Sequence, residues 1–103
     1  MPRIIVRLAE SALTDLAGVR DWYAEQGVPE TGERVLTEIL GRIRTLRDHP
    51  EKGRIVPEFD QPTLRELIHP PFRIVYRLER PRVSVVRVWR SERLLRLSRD
   101  ESG

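Results

Sequence analysis

The sequence contains no cysteine and almost no lysine, since Lys52 is the one lysine among 19 Lys and Arg residues. Without cysteine, disulfides, thiolate nucleophiles and thiolate-bound metals are excluded. No apolar run approaches the roughly 20 residues of a membrane-spanning helix, and the apolar N-terminal run is too short for a signal peptide. We therefore expect a cytoplasmic protein with no membrane partner, no metal and no cofactor.

Side chains that commonly move protons in enzymes are scarce in the C-terminal third, where neither histidine nor tyrosine follows Arg77. The two histidines stand apart in the sequence, and two isolated histidines do not make a metal site. His69 lies in a proline-flanked turn and is most simply a solvent-facing residue. His49 ends a predicted helix, where a positive charge is favourable.

Arginine, by contrast, is abundant and unevenly distributed. Nine arginines lie between Arg73 and Arg99, against only Glu79 and Glu92 in the same stretch. The formal net charge is only +3, and abundant arginine can reflect genome composition, so position is more informative than number. A basic C-terminal third suggests a basic working face, with a partner surface elsewhere.

The first half of the chain predicts a strand and two helices. Residues 3–8 are rich in β-branched side chains, which favours a strand. Apolar residues then recur at helical spacing from Glu10 onward, and again over residues 30–48. Gly27 and Pro29 separate the two repeats, so we expect an antiparallel helical hairpin.

The second half predicts a loop and three strands. Residues 50–63 contain three prolines and a glycine, which indicates a loop. Strands are predicted over residues 64–68, 72–79 and 83–90, with turns at His69-Pro70-Pro71 and Arg80-Pro81-Arg82. Strict alternation places Arg87 and Trp89 on the face of Val83 and Val85.

These elements predict one α+β domain over residues 1–103, in the order β-α-α-β-β-β. The helical hairpin packs on one face of an antiparallel sheet, and the other face stays partly open. Residues 91–103 are expected to form a short C-terminal helix and a tail. With 103 residues, the chain has enough length for one core.

Four segments together resemble the RelE/ParE superfamily of toxins from type II toxin–antitoxin systems. They are residues 12–23, residues 43–59, Leu64-Arg-Glu-Leu-Ile-His-Pro-Pro-Phe-Arg-Ile-Val-Tyr-Arg77 and Val86-Arg-Val-Trp89. The resemblance extends from about residue 4 to about residue 93 and is closer to the ParE side. It implies the fold predicted above and a toxin that arrests growth, of the kind that stabilises plasmids.

The resemblance also implies partners. A cognate antitoxin would neutralise the toxin, and the two could form a heterotetramer. ParE-like members inhibit DNA gyrase, whereas RelE-like members cleave mRNA on the ribosome, so the shared fold leaves the target open. An inactive family member that only binds an antitoxin is a third alternative.

A RelE-like nuclease would need cationic clamps and acid–base groups around the phosphate. The resemblance places Arg73 at the family's central-strand arginine, and Arg65 on the neighbouring strand could share its face. Together with Arg90, these would be the catalytic residues of a nuclease. However, the family's C-terminal Tyr or His is missing, and the pKa of arginine is too high for a general acid at neutral pH. We therefore assign no catalytic residue and favour a gyrase inhibitor.

Two binding surfaces are predicted. The target-binding surface comprises Arg73, Arg77, Arg90 and Arg93, and the antitoxin-binding surface comprises Trp22, Arg87 and Trp89. Each has a structural alternative. Arg73 could pair with Glu66 on the adjacent strand, and Trp89 could pack in the core or at its rim.

Overall fold

The computed structural model describes residues 3–90 as a helical hairpin packed on a five-stranded sheet. The elements are β1 (Ile5–Leu8), α1 (Glu10–Glu25), α2 (Pro29–Arg44), a 3-10 turn (Thr45–Arg47), β2 (Arg54–Ile55), β3 (Leu64–His69), β4 (Phe72–Glu79) and β5 (Arg82–Arg90). The predicted α+β class is confirmed. The predicted C-terminal helix, with Arg93, lies outside the described residues.

The sheet has the strand order β1-β5-β4-β3-β2. Strands β3, β4 and β5 form the predicted antiparallel meander. Two details go beyond the sequence prediction. The loop contains the two-residue strand β2, which pairs with β3, and β1 runs parallel to β5. A local hydrophobic pattern reveals a strand but not the direction of its neighbour.

The turn between the helices is built from the residues that the sequence marked. Gly27 ends α1 with φ at 80°, a conformation that favours glycine. Pro29 begins α2, where its missing N–H costs no helical hydrogen bond. Further along, a Cβ on Gly32 would lie 2.8 Å from the Cβ of Tyr23. The small residue therefore allows the two helices to approach closely.

The main core lies between the hairpin and the sheet. Both helices and the three long strands contribute buried apolar side chains, among them Ala12, Leu16, Leu36, Ile39, Ile43, Leu67, Phe72, Ile74, Tyr76, Val83, Val85 and Val88. A second, smaller apolar cluster covers part of the opposite face. It consists of Val56, Leu64 and Val75, with Val86 and Trp89 packed against it. No helix within residues 3–90 is both long enough and apolar enough to cross a membrane.

Strand β5 contains a one-residue bulge at Val86. In the ladder with β4, Val85 is opposite Tyr76 and Arg87 is opposite Val75, so Val86 has no partner. An extra residue changes the phase of side-chain alternation. Before the bulge Val85 points to the helices, and after it Val88 does.

The bulge corrects one sequence prediction. Trp89 packs against the small cluster on the face away from the helices, and Arg87 is opposite Val75 of that cluster. The prediction that Arg87 and Trp89 share the face of Val83 and Val85 was therefore wrong. It assumed an unbroken period of two through a strand that contains one extra residue.

Candidate functional site

The three arginines considered for a nuclease do not converge on one point. In the β3–β4 ladder, Arg65 is opposite Tyr76, and Arg73 is opposite Ile68. Arg65 and Ile68 are three positions apart on β3, and an odd separation places side chains on opposite faces. The expectation that Arg65 shares the face of Arg73 was therefore wrong.

Arg65 fastens the loop between the second helix and β3. Its Nε donates to the carbonyl oxygen of Pro62 at 3.1 Å, and its Nη1 donates to that of Gly53 at 3.1 Å. Tyr76, on the same face, donates its hydroxyl to the carbonyl oxygen of Pro50 and accepts from the amide of Gly53. Burial raises the pKa of the Tyr76 hydroxyl. These contacts hold the loop against the sheet.

The same contact between loop and sheet requires a glycine at position 53 for a steric reason. A Cβ at this position would lie 2.6 Å from the carbonyl oxygen of Glu66 and 2.7 Å from the hydroxyl oxygen of Tyr76. Neither atom is the end of a flexible chain, so only glycine fits without displacing the strand or the tyrosine.

Arg90 lies at the other end of the sheet, on the helix side. It is opposite Phe72 in the ladder. Its guanidinium carbon is 4.9 Å from the ring centroid of Trp22 and 5.7 Å from that of Phe72. Both separations are in the range of cation–π attraction. Trp22 is 43% exposed, so this pair forms part of the surface.

Arg73 is buried in a network of ion pairs on the face away from the helices. Its Nε donates to Glu66 at 2.6 Å, and its two terminal nitrogens donate to Glu58 at 2.7 and 2.9 Å. The second oxygen of Glu66 accepts from Arg54 at 2.6 Å. We call Arg54, Glu58, Glu66 and Arg73 the ion network. It contains two positive and two negative side chains and is formally neutral.

The network shifts the pKa values of Glu58 and Arg73. Hydrogen bonds from Arg73 hold the pKa of Glu58 below its ordinary value, against the opposing effect of burial. The same hydrogen bonds, which Glu58 accepts, raise the pKa of Arg73 against the opposing effect of burial, and the hydrogen bond accepted by Glu66 adds to the rise. Arg73 therefore stays charged, and its charge is balanced inside the protein. To bind a phosphate, Arg73 would have to break hydrogen bonds that its Nε and both terminal nitrogens already make to carboxylates.

The three residues of the predicted antitoxin-binding surface lie near one end of β5. Arg87 donates from Nε and Nη2 to Asp15 of α1 at 2.8 and 3.0 Å, and its guanidinium carbon is 4.6 Å from the ring centroid of Trp89. The hydrogen bonds from Arg87 to Asp15 raise the pKa of Arg87. Trp89 and Trp22 lie on opposite sides of the sheet, so the three residues occupy both faces at the end of β5.

Helix α1 also covers the half of β5 that extends beyond β1. The hydroxyl of Ser11 donates to the carbonyl oxygen of Val86 at 2.6 Å. The carboxylate of Asp15 accepts from the amide of Val88 at 2.8 Å. Side chains of α1 thus satisfy backbone groups of β5 that would otherwise pair with a neighbouring strand.

Arg77 lies on the face away from the helices, at the end nearest the β4–β5 turn. Together with Arg7, Arg80 and Arg82 it lines a hollow of about 290 Å³. Glu79 is the one acidic side chain in the lining. We call this feature the arginine hollow. Of its four arginines, sequence reasoning selected only Arg77.

A family model described as the ParE toxin of the type II toxin–antitoxin system parDE matches residues 6–95. The chain belongs to the ParE toxin family. It is thus a toxin of a type II toxin–antitoxin system, within the RelE/ParE superfamily. No curated protein sequence matches the chain.

The solved structures that resemble this ParE-family toxin include two from toxin–antitoxin systems. One is a chromosomal ParDE system from P. aeruginosa, with 21% identity, coverage of 85% of this chain and 96% of that chain, and a TM-score of 0.73. The other is the toxin–antitoxin complex RelBE2 from Mycobacterium tuberculosis, with 18% identity, coverage of 87% and 93%, and a TM-score of 0.58. At such identities the likeness shows the fold.

The histidines of the toxin lie apart from both arginine-lined features. The Nε2 of His69 is 3.4 Å from a carboxylate oxygen of Glu38 on α2, and His49 is exposed. Within residues 3–90, no group of three His, Cys, Asp or Glu side chains is arranged to hold a metal ion.

Some site features could be read from the sequence, and others could not. The pairing of Arg73 with Glu66 follows from their neighbouring strands and was one of the two alternatives. Glu58 was missed, because it lies in a loop where no periodicity predicts contacts. Arg7 was missed because its proximity to Arg77 depends on the pairing of β1 with β5. Arg82 was assigned only to the turn, although the β4–β5 hairpin places it opposite Glu79 and near Arg77. The sequence offered one signal for this cluster, the arginines at alternate positions 80 and 82 beside the start of a predicted strand.

Glu58 gives a pH dependence that can be measured. A depressed folded-state pKa means that the ionised group contributes stability above about pH 4.5, its ordinary value, and that this contribution is lost as the pH falls through the folded-state pKa. We expect the thermal midpoint of the toxin to fall between about pH 5 and about pH 3. The Glu58→Gln variant should show a smaller fall, as followed by circular dichroism.

Glu33→Gln is the matched control, because Glu33 pairs with Arg20 on the helix surface, and both side chains are 61% exposed. Such exposed pairs contribute little, so this variant should follow the wild-type pH curve. Parallel curves for wild type and Glu58→Gln would show that the ion network does not stabilise ionised Glu58.

Proposed function

We propose that this ParE-family toxin acts by binding, as an inhibitor of DNA gyrase, and that a cognate antitoxin neutralises it. The observation that carries the proposal is the state of Arg73. The arginine at the position where a RelE-like nuclease would act is buried and held by Glu58 and Glu66. A cation neutralised in this way supports a structural role in a binding protein.

The separation of the other candidate arginines supports the same reading. Arg65 is committed to loop carbonyl groups, and Arg90 lies on the opposite face from Arg73, beside Trp22. Cleavage of RNA requires cations and a proton donor gathered around one phosphate. The three arginines are spread over both faces of the sheet, an arrangement that suits contacts with a protein partner better than a catalytic centre.

An antitoxin partner is supported by two of the solved structures that share the fold. One is a ParDE toxin–antitoxin system and the other is a RelBE2 toxin–antitoxin complex. We propose that the antitoxin contacts the end of β5, where Trp22, Arg87 and Trp89 lie. Trp22 supplies exposed aromatic surface there, and aromatic and arginine side chains are the ones enriched where interfaces are strongest. A heterotetramer is the assembly we propose for the pair.

A supercoiling assay with purified gyrase tests the target. We expect the toxin to inhibit supercoiling at near-stoichiometric concentration and the antitoxin to restore it. Arg77→Gln should raise the concentration needed for half-inhibition roughly tenfold, as expected for one charge-assisted contact of about 1.4 kcal/mol. Arg34→Gln removes the same charge from the exposed surface of α2 and should leave inhibition unchanged.

Other outcomes would assign the toxin differently. Full supercoiling together with cleavage of transcripts on ribosomes would reverse the proposal in favour of a RelE-like endoribonuclease. If neither gyrase nor mRNA is affected while the antitoxin still binds, the chain is an inactive family member. Equal inhibition by wild type and Arg77→Gln would remove Arg77 from the target-binding surface.

A further inference from the structure

The arginine hollow is assembled by the register of three strands. Arg7 on β1 is opposite Ser84 on β5, and Ser84 is opposite Arg77 on β4. Residues opposite one another in a ladder share a face of the sheet, and adjacent strands lie about 4.8 Å apart. The Cα atoms of Arg7 and Arg77 are therefore about 10 Å apart, and both long side chains project from the face away from the helices. Arg82, two residues before Ser84, joins them on that face.

The positive charge of the hollow is only partly balanced within the described part of the chain, because four arginines face two carboxylates, Glu79 in the lining and Glu51 beside Arg80. Arg7, Arg77 and Arg82 are exposed, and residues 3–90 give them no hydrogen bond or ion pair. Arg80 pairs with Glu51 at 3.1 Å, where both side chains are more than half exposed. The contrast with the ion network is sharp, because there each arginine has its carboxylate. Clustered cations in a concave site concentrate field lines and attract anions.

The side chains in the hollow indicate which anion it suits. Guanidinium groups bind phosphate through paired hydrogen bonds. The lining contains arginine, one glutamate, one serine and one proline, and no aromatic ring on which a base could stack. An acidic peptide would also need apolar pockets for its other side chains, and the lining provides none.

We propose that the arginine hollow binds phosphate groups of a nucleic-acid backbone, without reading base sequence. The ligand is a phosphodiester chain, and duplex DNA is the form that a toxin acting beside a DNA enzyme would meet. The choice of duplex DNA rests on the proposed function, and the inference goes beyond that function because it concerns direct contact with nucleic acid. It can be measured without gyrase, so failure of the gyrase proposal and failure of this one are distinguishable.

Fluorescence anisotropy of a labelled duplex tests the proposal. With three phosphate contacts, the logarithm of the binding constant should fall with the logarithm of salt concentration with a slope of about −2.7, which is about 40-fold between 50 and 200 mM salt. The triple variant Arg7→Gln/Arg77→Gln/Arg82→Gln should bind at least about tenfold more weakly at 50 mM salt. Its salt slope should be shallower than that of the wild type, between about −1 and zero. Duplexes of unrelated sequence should bind equally well.

The matched control is Arg34→Gln/Arg44→Gln/Arg47→Gln. It removes the same three charges from exposed positions on α2 and the turn after it. It should keep nearly the full slope. Equal weakening in both triple variants would mean that net charge alone attracts the duplex and would overturn the proposal.

Two further results would also overturn it. One is unchanged duplex binding by the hollow variant. The other is binding of an acidic peptide, such as poly-glutamate, with no binding of the duplex, which would assign the hollow to an acidic protein segment. If the triple variant has a lowered thermal midpoint, the single variants replace it. Each single variant should then lose about one phosphate contact, which makes the salt slope shallower by about 0.9.

Discussion

Replacing Glu66 with leucine should lower the free energy of unfolding by about 3–5 kcal/mol, as measured by urea denaturation. Glu66 is 1% exposed and accepts hydrogen bonds from both Arg73 and Arg54. Its removal leaves the guanidinium of Arg73, which is 4% exposed, with Glu58 as its one carboxylate partner in the ion network. A buried charge that loses a partner is much more costly than a missing exposed pair.

The second step of this experiment removes Arg73 as well. In the double variant Glu66→Leu/Arg73→Met, no charge remains buried at the centre of the network, and apolar side chains of similar volume replace the pair. We expect most of the lost stability to return, because such replacements are often neutral or stabilising. A loss below about 1 kcal/mol for Glu66→Leu alone would contradict the reading of Arg73 as a buried structural residue.

This result bears on any functional test of Arg73. A variant such as Arg73→Ala removes one of the two arginine partners of buried Glu66, so it is expected to destabilise the whole domain. Loss of toxicity in Arg73→Ala would therefore say nothing about target binding unless the variant is shown to be folded. Arg77 is exposed and has no such role, which makes it the better probe of the target-binding surface.

Removing the hydroxyl of Tyr76 should lower the free energy of unfolding by about 2–4 kcal/mol. The hydroxyl donates to the carbonyl oxygen of Pro50 at 2.7 Å and accepts from the amide of Gly53 at 2.9 Å. In Tyr76→Phe both backbone groups would be left buried without their partner, and each such group costs about 1–3 kcal/mol. Equilibrium unfolding in urea measures the loss.

Tyr23→Phe is the control for this substitution. Tyr23 packs against the main core from the helical hairpin, and within residues 3–90 its hydroxyl has no hydrogen bond. Its loss should change stability by less than about 0.5 kcal/mol. If Tyr76→Phe were equally mild, the loop would be held to the sheet mainly by Arg65, and the tyrosine would act through its ring alone.

Much of the fold could be predicted from the sequence. The helices follow from the recurrence of apolar residues at three- and four-residue steps, and the strand meander follows from alternation punctuated by proline turns. What could not be predicted were features set by the pairing of distant segments. The direction of β1, the short strand β2 and the bulge at Val86 all depend on which backbone groups meet in the folded chain.

The same division applies to the site. The contact between Arg73 and Glu66 could be anticipated, because neighbouring strands bring residues of one face together. The faces of Arg87 and Trp89 could not, because a bulge changes the alternation without a glycine or proline to announce it. Glu58 reaches Arg73 from an irregular loop, and the arginine hollow joins β1 to residues far away in the chain. The spacing of residues along the sequence does not predict such contacts between distant segments.

The bulge at Val86 has a consequence for how the toxin tolerates changes of length. Because Val86 is already one residue in excess of what its partner strand requires, deleting it would leave a regular ladder. In that ladder Val88 would remain opposite Ile74 in the main core, and Trp89 would remain opposite Arg73 on the face away from the helices. Val86 is therefore a position at which β5 can lose one residue without reversing the faces of the side chains that follow. A protein of this family that is one residue shorter at this point could keep the same side chains on the same two faces of the sheet.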